Sequence, residues 1–147
     1  MVVAAGALTI STPASASFGT VSVGGTSAAI SLGTTTVSDS RGTLVGWTVT
    51  ALTDANLHDA GSAHTIDLTA ASGIAWSTGS ISTVSGSPTG VASGAGGFLN
   101  ESAPITVATA SALNGAGTYT FNPSMTLSIP LTAFPASYTA VLTQTAS

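Results

Sequence analysis

An all-β fold of short antiparallel strands is what this sequence predicts, and three observations carry the prediction. Apolar and hydroxyl-bearing residues alternate with period two in run after run. Glycine and proline fall between those runs, at spacings that suit many short strands joined by turns. No window of about ten residues has a helical period. The expected form is a Greek-key (immunoglobulin-like) β-sandwich of roughly 8–12 strands, without substantial helix, in one domain spanning residues 1–147.

The elements follow in chain order. Leu8 and Ile10 open the pattern, and residues 1–12 read as an edge strand or one exchanged with a neighbour. Val21 with Val23, then Ile30 with Leu32, repeat it after Pro13 and the Gly24-Gly25 pair. Trp47, Val49 and Ala51 alternate with Thr48 and Thr50. Thr53 to Ala60 is the one stretch able to form a single helical turn. Ile66 and Leu68 flank Asp67, and Ile74 to Trp76 make a short strand before Gly79. Residues 85–97 are rich in Gly and Ser and read as one long surface loop. Beyond it lie Ile105 with Val107, Tyr119 with Phe121, and Met125 to Leu131. Tyr138, Ala140 and Leu142 form the last run. One apolar and one hydroxyl face per strand is what a sheet with one wet side requires. Thr and Val also suit the pleated surface.

Charge sets the next bounds. The chain has one basic residue, Arg41, and five carboxylates, giving a net charge of -4. Binding nucleic acid means neutralising phosphates with Lys and Arg, which one arginine cannot do. Anionic membrane surfaces are poor partners on the same ground. No apolar stretch is long enough to cross a bilayer as a helix. Cysteine is absent, which removes disulfides and thiolate metal sites. Only 4% of residues are charged, so the surface lacks the repulsion that keeps monomers apart. That favours packing against copies of the same chain or against a polymer. Residues 1–7 lack a basic region and a long apolar core. The expectation is a leader already removed, or a route that needs none.

The lone cation stands in Val37-Ser38-Asp39-Ser40-Arg41-Gly42, followed by Gly46-Trp47-Thr48-Val49-Thr50. Residues i and i+2 of a strand face the same way, so Asp39 and Arg41 are placed to pair. They read as a corner brace leading to a core Trp47, or alternatively as a pair contacting a ligand. This run resembles the first signature of WxL-type domains, surface proteins of Gram-positive bacteria with related secreted proteins in actinobacteria. The segments Leu8 to Val21 and Leu127 to Thr143 resemble the opening and closing strands of that family. Its second Trp-x-Leu motif is missing, since Gln144-Thr145-Ala146 follows Thr143. The resemblance implies a secreted β-sandwich held non-covalently at the cell envelope.

Catalytic patterns are sparse. A serine hydrolase would need a positioned serine, a base and an acid, and no Gly-x-Ser-x-Gly elbow accompanies His58 or His64. Glycosidases need two carboxyls across a cleft, and Glu101 lacks an aromatic platform. Asp54, Asn56 and Asp59, with Asp67, are weak candidates for a calcium loop, against a solvated turn. Trp76 is a core residue or an exposed contact. No cofactor is implied.

The expected function is therefore a non-enzymatic extracellular structural or adhesive protein of the cell envelope. It would self-assemble as a homo-oligomer or filament through low-charge β surfaces, with a cell-wall polymer as a further partner. Two alternatives stand beside it: a phage virion subunit (capsid decoration or tail protein) and a peptidoglycan- or carbohydrate-binding module.

Overall fold

The computed structural model describes residues 1–69 and 72–147. Among them the fold is all-β, with fifteen antiparallel strands and no helix. The first five are β1 (Leu8–Ser11), β2 (Ile30–Ser31), β3 (Thr35–Asp39), β4 (Trp47–Thr53) and β5 (Leu57–Asp59). Next come β6 (Thr65–Ile66), β7 (Gly73–Ser77), β8 (Ile81–Gly86), β9 (Val91–Ser93) and β10 (Gly97–Phe98). The last are β11 (Ile105–Ala110), β12 (Gly117–Phe121), β13 (Ser124–Ser128), β14 (Tyr138–Thr139) and β15 (Leu142–Ala146). The count exceeds the expected range because several strands are only two or three residues long.

Two four-stranded sheets form the body, ordered β1-β3-β12-β8 and β15-β4-β11-β9. They face each other, with β1 beside β15 along one border and β8 beside β9 along the other. Trp47 on β4 packs on Tyr119 of β12 across the gap, ring centroids 5.7 Å apart. Thr35 on β3 reaches Gln144 on β15. A third sheet, β10-β7-β13-β2, and a small fourth, β14-β5-β6, extend the same core.

Alternation decides which side chains enter that core. β3 buries Thr35, Val37 and Asp39 while Thr36 and Ser38 stay half-buried. β4 buries Trp47, Val49, Ala51 and Thr53. Tyr119 and Phe121 follow the rule on β12, as do Met125 and Leu127 on β13. β11 breaks it, because a bulge between Thr106 and Ala108 buries both Val107 and Ala108.

Four expectations need correction. Residues 85–97 are not one loop: β8 runs to Gly86, β9 pairs with β11, and β10 pairs with β7. These small residues join strands because a partner offers them backbone bonds, which composition does not reveal. Thr53 to Ala60 holds no helical turn and carries β5 instead. Val21 and Val23 lie outside any strand. The run Tyr138 to Leu142 is split between two sheets, β14 pairing with β5 and β15 with β4. Asp54 holds the split, its N–H donating to Val141 O at 2.9 Å and its carboxylate accepting Val141 N–H at 2.8 Å. Residues 8–11 of the N-terminal segment pair within the chain, on β3 at the border of the first sheet.

Candidate functional site

The Asp39–Arg41 corner is the most organised polar feature. β3 ends at Asp39, whose side chain points inward by the strand's alternation. Arg41 folds back over it, Nε donating to Oδ1 at 2.9 Å and Nη2 to Oδ2 at 2.9 Å. The Arg41 backbone N–H donates to the same Oδ1 at 3.0 Å. Nη2 also donates to the carbonyl of Gly46 at 2.6 Å. One guanidinium thus spans both ends of the turn joining β3 to β4, using the fixed fork that suits two acceptors. The hydrogen bond from Arg41 holds the Asp39 carboxyl below the usual carboxylate range. The Arg41 guanidinium is shifted up by the same bond.

Gly46 has φ of 80°, and a Cβ there would fall on the Ala110 carbonyl. Trp47 follows at 3% exposure, its Nε1 donating to Gly115 O at 2.9 Å. Tyr119, fully buried, donates its hydroxyl to Ser87 O at 2.8 Å. Asp39, Arg41 and Trp47 therefore form one connected corner, and Trp47 is walled off from solvent. The sequence singled out these three residues. It placed Gly46 within the motif and Tyr119 on an alternating strand without assigning them to this corner, and it gave no role to Gly115.

Trp76 is buried as well, which removes its alternative as an exposed contact. Its Nε1 donates to Thr78 Oγ1 at 3.0 Å, and Thr78 donates to Val107 O at 2.7 Å. A two-step relay of this kind satisfies a donor that the apolar surroundings would otherwise leave unmet.

The candidate calcium loop spends its oxygens on the chain itself. Asp54 accepts from Val141, as above. Asn56 donates to Asp67 Oδ1 at 3.2 Å and accepts Leu68 N–H at 2.8 Å. Asp59 accepts Ala63 N–H at 2.9 Å and meets His64 Nδ1 at 2.8 Å. Among the described residues, no three His, Asp or Glu side chains group so as to hold a metal ion. Asp54, Asn56, His58 and Glu101 rim a shallow open depression.

His64 is placed by two contacts, the Asp59 carboxylate and a stacked ring of Phe134 with centroids 4.0 Å apart. The bond from His64 draws the Asp59 carboxyl below its ordinary range. No serine or threonine hydroxyl hydrogen-bonds to either histidine among the described residues. The Asp59–His64 pair thus resembles the acid and base of a hydrolase without a partnered nucleophile. The His58 ring meets the Asn56 carbonyl at 3.1 Å.

Compared with family models, curated proteins and solved structures, the chain finds no match.

Proposed function

We propose that this chain is a non-enzymatic extracellular structural or adhesive protein of the cell envelope, self-associating through low-charge β surfaces. The observation that supports the proposal is an almost uncharged exterior on which several large apolar side chains stay exposed. Val45, Val84, Leu113, Leu131, Phe134 and Val141 all stay exposed in a chain with one arginine and five carboxylates. The third sheet adds open borders at β10 and β2, and no lysine blocks them. Its finer architecture in this reading is a Greek-key, immunoglobulin-like sandwich, in which the β12–β13 connection passes from one sheet to another.

The WxL resemblance belongs to the same proposal. Its motif residues are engaged in bracing, so contact with a wall polymer would run through the exposed hydroxyl faces and not through Trp47. Sedimentation velocity across a wide concentration range tests the central claim. Large species are expected to grow with concentration and to persist at about 1 M salt, where ionic contacts are screened. A chain that stays monomeric throughout overturns it.

A further inference from the structure

A cavity of about 370 Å³ lies between two straps and the core. One strap is Thr12 to Phe18, and the other runs from Tyr138 to Gln144. The floor is apolar and buried: Leu32, Leu57, Ile74, Leu99 and Met125. One polar residue interrupts it. Thr53 is 1% exposed, and its Oγ1 has no hydrogen-bond partner. It is the one such side-chain atom among the described residues.

That hydroxyl is not explained by the fold. Thr53 is the last inward position of β4, after Trp47, Val49 and Ala51. Valine has nearly the same shape and would serve the strand equally. Burying an unmet hydroxyl costs free energy that valine would avoid. The two other buried threonines of the core are satisfied. Thr35 Oγ1 donates to Gln144 Oε1 at 3.3 Å, and Thr78 Oγ1 donates to Val107 O. A buried polar group without a partner, set in the wall of a cavity, points to an occupant that supplies the partner.

We propose that this cavity is a binding site for a small, neutral, mainly apolar molecule carrying one hydroxyl or carbonyl oxygen, which meets Thr53 Oγ1. Size agrees, since small-molecule sites run from about 300 to 1,000 Å³. Neutrality follows from the lining, which holds no Asp, Glu, His, Lys or Arg. A charged ligand would lose its hydration there and find no counter-charge. The Thr12 to Phe18 strap provides the entrance. It makes no backbone hydrogen bond to another segment among the described residues. Pro13 rests against Gly33 and Phe18 packs on the core. Lifting this strap breaks apolar contacts but no ladder. The site is independent of self-assembly and stands or falls separately.

The test uses the whole chain and the neutral dye N-phenyl-1-naphthylamine, displaced by benzyl alcohol or by its near-isostere ethylbenzene. Both are expected to displace the dye. Thr53→Val should weaken benzyl alcohol by about three- to tenfold, the worth of one hydrogen bond, and leave ethylbenzene unchanged. Ala140→Trp, on the partly exposed wall, should weaken both. Thr53→Val keeps the shape of the core, so folding does not confound it. Absence of dye binding to the parent chain overturns the proposal. So does a Thr53→Val chain that binds benzyl alcohol as tightly as before, because water alone then meets the hydroxyl.

Discussion

Arg41 Nη2 donates to the Gly46 carbonyl at 2.6 Å while the same guanidinium grips both oxygens of Asp39. The turn between β3 and β4 is thereby closed by a side chain and not by a backbone ladder. Gly46 fixes the approach of Trp47, so the chain's one cation sets the position of its central core aromatic. All of these bonds stay within the corner, as a brace requires.

Removing Arg41 tests the brace. Arg41→Ala leaves the buried Asp39 carboxylate without its cation and the Gly46 carbonyl without its donor. The melting temperature is expected to fall. Arg41→Lys should recover only part of the loss, since an ammonium cannot reproduce the fork. Thermal unfolding of Arg41→Ala, Arg41→Lys, Asp39→Asn and the Asp39→Asn, Arg41→Ala double variant checks this. The double variant should lose less than the sum of the Asp39→Asn and Arg41→Ala losses, because the two residues share one interaction.

Trp47→Phe keeps a ring against Tyr119 but deletes the donor to Gly115 O. Its expected cost is about 2 kcal/mol or more, combining lost packing with an unmet buried carbonyl. Gly115→Ala should be damaging through a different route. Gly115 has φ of 84°, and its added Cβ would press on the indole Nε1. Urea unfolding of each variant gives the two losses.

Acid should unfold the protein in a particular window. Asp39 and Asp59 both have carboxyl pKa values held down in the folded state, each chiefly by a side-chain hydrogen bond. Between the folded and unfolded values the unfolded chain binds more protons, so stability falls as pH falls. The contribution is complete above the unfolded value near 4 and is lost as pH drops through the folded values. Urea midpoints measured from about pH 6 to about pH 2 should show this decline. Arg41→Ala should flatten it, since the largest cause of the Asp39 shift is then gone.

Thr53→Val should raise the stability of the unliganded chain by about 1–3 kcal/mol, because it removes a buried hydroxyl without a partner. Few core substitutions are expected to stabilise, so the sign itself is diagnostic. Thermal unfolding of the variant, run without added ligand, reads it directly.

The sequence by itself determined the all-β class, because period two allows an inward and an outward face on a strand and nothing else. It also determined that Trp47, Val49 and Ala51 on β4, Tyr119 and Phe121 on β12, and Met125 and Leu127 on β13 enter the core, where alternation is unbroken. The Asp39–Arg41 spacing was legible as a pair for the same reason. Only the tertiary structure decided the rest. It made strands of residues 91–93 and 97–98, which stand in a Gly- and Ser-rich stretch without period-two alternation and pair because β11 and β7 lie alongside. It split the Tyr138 to Leu142 run through Asp54, a residue more than eighty positions away. It left Thr53 Oγ1 unmet beside a cavity, which no local pattern encodes, since a partner is absent or present only once distant segments have packed.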